Sequence, residues 1–278
     1  LGIRQMTRLD HEHQQQAFER EADSAANAVL AHVRQPLQAL EAMRGLLAEA
    51  PAIDRDAFRR AATPWLAAGV GLRALGWNER VPAAARAHFE AAEQAAGRPA
   101  FRIFERPDGG VAAAGDDAQV IRFIEPEADN AGALGANVRT ISIARAAQEQ
   151  AARSGVPVVT PGFALTQGGT GVVFYQAVYR GQPSTPDERA AALRGFVFAT
   201  LQPEVLLSTA ASGQPSSLNI CLVDNDASPP SRVLAGPQRC DNLRSHAPLH
   251  VVPLAMAGRH WALRVYATAP LAPSVGSS

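Results

Sequence analysis

The sequence predicts a mixed α/β (α+β) fold: a long N-terminal helical stalk followed by two domains built on antiparallel sheets. Three observations carry that reading. Apolar residues near the N-terminus recur in steps of three and four. The middle of the chain alternates short helical stretches with apolar, β-branched runs. The last part, rich in Ser, Pro and Gly, holds three more strand-like runs. The corresponding segments are 1–75 for the stalk, 76–207 for the main α/β domain and 208–278 for a smaller sheet domain.

From about Asp10 to Ala50 the chain reads as one long helix or two collinear ones. Phe18, Ala22, Ala25, Val29, Val33, Leu37, Leu40 and Leu47 fall on one stripe. Pro36 lies inside it and should kink or restart the helix. Such a stripe suits a helix lying on its own domain and equally one that pairs with a second copy. Asp54 is the expected N-cap of a helix over 54–67. "VPAAARAHFEAAEQAAGRP" (81–99) is a third helix, stopped by Gly97 and Pro99. "FRIFER" (101–106) and "QVIRFIEP" (119–126) follow as strands, then a helix over 139–153 that ends at Ser154-Gly155. "VPVVTPGF" (156–163), "GTGVVFYQAVYR" (169–180) and "FVFATL" (196–201) are strands. Between the last two, "STPDERAAALRG" is a short helix with Thr185 as cap, Pro186 in the first turn, Glu188 completing a capping box and Gly195 as its end. "LNICLVDND" (218–226), "HVVPLAMAG" (250–258) and "RHWALRVYATAP" (259–270) complete the strands, the last two joined by a tight hairpin at Gly258-Arg259.

The 278 residues carry 26 basic and 26 acidic side chains, so no net field draws the chain to nucleic acid or an anionic membrane. All 26 basic residues are arginine. The absence of lysine excludes P-loop, Schiff-base and protein-kinase chemistry within these residues. No stretch has the roughly 18 apolar residues that a membrane span needs, and no leader peptide is visible. His11 and His13 point to different faces of a helix, and no His/Cys spacing matches a metal site. "GGTG" (168–171) reads as a turn between strands, and Asp116-Asp117 as a solvated loop pair. No catalytic, metal or cofactor set emerges.

Five blocks, in order, resemble the CHASE domain, an extracytoplasmic sensory module. They are "LGWNERVPAAARAHFEAAEQAAGRPAFRIFE", "VIRFIEPEADNAGALGANV", "ARAAQEQAARSGVPVVTPGFAL", the Val-Tyr strand "GVVFYQAVYR", and the capped helix and strand that follow it to Leu207. The resemblance implies two PAS-like domains behind a long helix, the membrane-distal one at 76–207 holding a ligand and the membrane-proximal one at 208–278. It implies a periplasmic ectodomain tethered to the inner membrane, with a span at each end and a signalling enzyme, most simply a histidine kinase of a two-component system, beyond it. The fragment itself is then no enzyme, and it pairs as a homodimer through its N-terminal helix. The starting Leu1 and the trailing "PLAPSVGSS" accord with an excised ectodomain.

In the cytokinin receptors of this family an aspartate holds the adenine ring, and alignment puts Asn137 there. An amide accepts and donates, which complements adenine's amine and N7; it also suits the cap of the helix that follows. Both readings stay open, and an adenine-type cytokinin is the implied ligand. The resemblance, with strand alternation, adds Val159, Thr160, Gln167, Phe174, Tyr175 and Gln176 as pocket candidates, Phe174 and Gln176 on one strand face and Tyr175 on the other. For Val159 and Phe174, each taken singly, a place in the core is the favoured reading. An oxidising compartment makes Cys221 and Cys240 a candidate disulfide, with two buried thiols the alternative. The competing functions are a structural dimerisation or protein-binding ectodomain, and the sensor of a diguanylate cyclase with an unrelated ligand.

Overall fold

The computed structural model describes residues 2–50, 52–106, 116–165, 168–214, 217–228, 232–237, 240 and 249–268. It is a mixed α/β structure that begins with two long helices, α1 (Gly2–Val33) and α2 (Gln35–Glu49). The break falls at Arg34, and Pro36 is the second residue of α2, where its missing N–H costs nothing. Asp54 caps α3 (Arg55–Ala68), accepting from the Ala57 N–H at 2.7 Å. Then come β1 (Leu72–Val81), α4 (Arg86–Ala95), β2 (Phe104–Glu105), β3 (Ala118–Glu125), α5 (Glu127–Asn130), β4 (Ala136–Asn137) and α6 (Ser142–Ser154). They are followed by β5 (Val158–Val159), β6 (Phe163–Ala164), β7 (Thr170–Tyr179), α7 (Pro186–Ala192), β8 (Leu193–Leu201) and α8 (Pro203–Ala211). Strands β9 (Leu218–Asp224), β10 (Val233–Ala235), β11 (Leu249–Met256) and β12 (Arg259–Ala267) end the described chain.

These elements form two compact units. One comprises 35–161 and 172–201. Its sheet runs β2-β4-β3-β1-β8-β7-β5, antiparallel except for the β2–β4 pair. Helices α2, α3 and α4 cover one face. Phe58 of α3 stacks on Phe123 of β3 at 5.4 Å, Leu40, Met43 and Leu47 of α2 are buried, and Phe89 of α4 packs on Val81, Phe101 and Val120. Arg122 bridges Glu79 and Glu93 at 2.7 Å each on this face, and Arg98 bridges Glu93 and Glu127 at 3.1 Å. Burial alone would lower the Arg122 guanidinium, but Glu79 and Glu93 outweigh it and hold it above its ordinary value. The opposite face belongs to α6, whose Ala144, Ala147 and Ala151 pack on Tyr175, Phe196 and Phe198.

The other unit comprises 1–34, 162–171 and 202–278, with an antiparallel sheet β10-β9-β12-β11. The α1 stripe of Phe18, Ala22, Ala25, Val29 and Val33 is buried, as are Leu206 and Leu207 of α8. His250 Nε2 on β11 lies 2.8 Å from Asp23 Oδ1 on α1. Cys221 and Cys240 are joined by a disulfide across a Cα separation of 6.2 Å, buried with Val223, Val233 and Ala262.

Several boundaries differ from the sequence reading for physical reasons. The span 101–106 is strand only at Phe104–Glu105, because one short parallel partner, β4, is all it pairs with. Helix α7 ends at Ala192 rather than at Gly195, which lies inside β8, since Leu193 already pairs with Tyr179. Residues 203–211 form a helix launched by Pro203 at its first turn. The hairpin turns on Ala257 and Gly258, both at positive φ. The stalk expected at 1–75 is divided between the units after Arg34.

Two stability outcomes follow. Phe58→Ala should lower the unfolding free energy by about 3–5 kcal/mol, read from a denaturant midpoint that falls at unchanged slope. Replacing both Cys221 and Cys240 by alanine should cost about 3 kcal/mol, seen as an earlier unfolding transition than the oxidised protein shows.

Candidate functional site

A cavity of about 430 Å³ lies between α6 and the sheet of the 35–161 and 172–201 unit. Its floor is Arg80 of β1, Gln119 of β3, and Leu193 and Phe196 of β8. Its roof is one stripe of α6: Arg145, Gln148, Glu149 and Ala152, at helical steps of three and four, with Arg153 beside them. Arg139, Asp116, Asp117 and Ala190 close the sides.

Polar groups in this layer are unusual. Gln148 is 2% exposed on the alanine face of α6, and neither Nε2 nor Oε1 has a hydrogen-bond partner. Gln119 is 3% exposed, and its Oε1 also lacks one. Asn78 of β1, fully buried, has both amide atoms unpartnered; it pairs with Ile121 and Phe196 and so faces α6 too. A buried amide atom left unsatisfied costs roughly 1–3 kcal/mol, so the five in this layer need partners from outside the protein, water or a solute. Charges rim it: Arg80 pairs with Asp117 at 2.7 Å and donates to the Ala190 carbonyl, and Arg139 faces Asp116 at 3.7 Å.

The helix carrying Gln148 is fixed at its C-terminal end. Gly155 takes φ 74° to close its last turn on the Ala151 carbonyl. The Tyr179 hydroxyl donates to the Ala151 and Ala152 carbonyls at 3.2 and 2.7 Å, and Arg189 Nη1 donates to that of Arg153. Burial raises the Tyr179 phenol above its ordinary value, so it stays a donor.

Asn137 sits at the start of this arrangement, 1% exposed. Its Oδ1 accepts from the Gln119 N–H at 3.0 Å and the Arg139 N–H at 3.3 Å. Its Nδ2 donates to Glu105 Oε2 at 2.9 Å and Oε1 at 3.3 Å. It therefore caps the single turn Val138–Thr140, while the long helix begins later, at Ser142. Thr140 Oγ1 donates to the Asn137 carbonyl at 2.7 Å and accepts from the Arg106 N–H. Both ends of the Asn137 amide are engaged within the protein, and the two partners of its Oδ1 belong to residues that line the cavity.

The remaining sequence candidates separate by face. Tyr175 lies with Phe196 and Phe198 on the α6 side, where burial pushes its phenol far above the ordinary value. Phe174 and Val159 pair with each other on the opposite face, and Gln176, two residues on, shares it. Thr160 ties β5 to β7, its Oγ1 accepting from the Val173 N–H and its N–H donating to the Val173 carbonyl. Gln167 lies outside the described residues. None of the described sequence candidates lines this cavity itself; Gln119, Gln148 and Arg145 are among the lining residues that the sequence reading missed. The signal was a glutamine at an apolar step of an alanine-rich helix, among Ala144, Ala147 and Ala151.

Two other cavities lie in this unit. One, of about 650 Å³, shares Arg80, Asp117 and Leu193 with the first, but no buried polar side-chain atom without a partner lines it. The other, of about 410 Å³, borders the Arg98–Glu93–Arg122 network, whose carboxylates are already paired. Among the described residues no three His, Cys, Asp or Glu side chains gather in a metal-binding group, and no helix is long and apolar enough to cross a membrane.

The sequence profile of the CHASE domain matches residues 51–234. No curated protein matches the chain. Among solved structures, the chain resembles a protein titled methyl-accepting chemotaxis protein X, with a TM-score of 0.52 at 13% identity, covering 92% of this chain and 98% of that one. An extracellular ligand binding receptor from Desulfohalobium retbaense DSM5692 aligns at a TM-score of 0.49 and 10% identity over 88% of this chain. The chain spans only 39% of that receptor's length.

Asn137→Ala would leave the buried Gln119 N–H without its acceptor. It should lower the unfolding free energy of the ligand-free protein by about 2 kcal/mol, measured by chemical denaturation.

Proposed function

This chain belongs to the CHASE domain family of sensory modules, and from that premise we propose that it is the extracytoplasmic ligand-sensing part of a transmembrane signalling receptor. The ligand occupies the cavity under α6. The observation that carries this reading is the pair of buried, unpartnered glutamine amides, Gln119 and Gln148, on opposite walls of one cleft. Small-molecule sites are clefts of this size with convergent polar groups that fix orientation, and this one is lined mainly by polar and charged side chains. Phe196, Leu193 and Ala152 supply the apolar part here.

Gln148 offers one donor group and one acceptor, so it reads a planar edge that presents the reverse pair. An adenine derivative has such an edge, and so has any carboxamide. In this reading Gln148 takes the part that the family resemblance gives to Asn137, and Asn137 positions Gln119 and Arg139. A ligand that favours one arrangement of the site over another biases a receptor by that difference in affinity. A histidine kinase output, periplasmic placement and a homodimer through α1 belong to the same proposal. The apolar stripe of α1 is already buried within its own unit, so the dimer is carried by the family resemblance and would have to use other parts of α1.

The test is a thermal-shift screen of adenine derivatives and small carboxamides on the wild type and on Gln148→Leu. At least one compound should raise the wild-type midpoint in proportion to its concentration, and Gln148→Leu, with an unchanged circular dichroism spectrum, should lose the response. A compound that stabilises both proteins equally would remove the cavity from consideration.

A further inference from the structure

We propose that the ligand under α6 is an anion: a small carboxylate that also carries an acylamino, carboxamide or ureide edge. The inference rests on the cavity being the sensory site. It starts from the charges in the wall. Arg80, Arg139, Arg145 and Arg153 face Asp116, Asp117 and Glu149. Asp117 is taken by Arg80, and Asp116 by Arg139. Glu149 is exposed on the rim and makes no ion pair among the described residues. That leaves Arg145 and Arg153 on the roof, neither guanidinium with a hydrogen-bond or ion-pair partner among the described residues; Arg153 is exposed, while Arg145 is half-buried on the stripe that carries Gln148. Arginine stays charged at any working pH and prefers to grip a carboxylate with two parallel hydrogen bonds.

The geometry of α6 adds the second half. Arg145 and Gln148 are three residues apart on one helix face, about 4.5 Å along the axis. A carboxylate and an amide joined through a single carbon have a comparable reach. Such a molecule satisfies the guanidinium and the amide together. A simple inorganic anion would leave Gln148 unpaired, and a neutral amide would leave Arg145 without a counter-charge. Phe196 and Leu193 on the floor give a flat apolar substituent a surface to lie on.

The probes are N-benzoylglycine, its neutral amide N-benzoylglycinamide, and benzoate, titrated calorimetrically into the 278-residue protein. N-benzoylglycine should bind about tenfold more tightly than either of the others. Arg145→Gln should erase its advantage over the neutral amide, and Arg145→Lys should keep part of it. Gln148→Leu should weaken the acid and the amide alike and leave no preference for either over benzoate. If the neutral amide binds as well as the acid, if Arg145→Gln keeps the preference, or if none of the three binds at millimolar concentration, the anionic class is overturned. In that event, loss of binding of any screened compound in Gln148→Leu still supports the site. Binding that ignores Gln148→Leu overturns the site itself.

Discussion

One asparagine amide ties the edge of the large sheet to the turn that leads into α6. Asn137 Oδ1 takes the Gln119 N–H from β3 and the Arg139 N–H from the turn, while its Nδ2 holds Glu105 on β2. The edge it organises is poor in ordinary pairing: β4 is two residues long and meets β3 at a single register position, Val120 with Asn137. Backbone N–H groups must find acceptors when buried, and here a side chain supplies what a longer ladder would have supplied. Because its two oxygen-side partners, Gln119 and Arg139, both line the cavity, the geometry of the site is inherited from this one residue. In the proposed reading, a residue placed so would act on a ligand only through the groups it positions.

Much of this was legible in the sequence. The α1 stripe, the Asp54 cap, the Thr185–Glu188 capping box and the alternation along 170–179 are local signals, written within a few residues of where they act. The first three take the form the sequence implied; β7 is buried on both faces, so its alternation shows in the partners that Phe174 and Tyr175 meet. The five ordered blocks between Gly76 and Leu207 pointed to the CHASE family, and the matched segment, 51–234, encloses them. Where the reading stopped short, the cause was tertiary. Phe104–Glu105 is a strand only as far as β4 reaches, and no property of "FRIFER" states that length. The end of α7 is set by the pairing of Leu193 with Tyr179, which competes with one more helical turn.

The site itself was half legible. Asn137 was conspicuous because it stood where a helix should start, and it is indeed buried and fully engaged. Gln148 was less conspicuous because "ARAAQEQAARS" holds two glutamines and a glutamate, of which a helical wheel allows any to be the wet one. Only the register of α6 on Tyr175, Phe196 and Phe198 decides that Gln148 turns inward with Ala144, Ala147 and Ala151. Phe174 and Tyr175 illustrate the same point on a strand. Alternation says that they face opposite ways, and the helices packed on each side say which face adjoins the cavity.

The energetic argument for a guest can be carried one step further. Five amide atoms of Asn78, Gln119 and Gln148 lack protein partners in one layer, and at roughly 1–3 kcal/mol each their combined cost rivals the whole stability of an ordinary domain. A layer of alanine and leucine in their place would fold more securely. Water can satisfy such atoms, but it does so with mobile bonds and no preference among solutes. A ligand that brings the matching donors and acceptors in a fixed frame gains what a ligand lacking them forfeits, which is the origin of polar discrimination in buried sites. If the cavity is the sensory site proposed above, the amides exchange stability for selectivity, an exchange that suits a sensory domain.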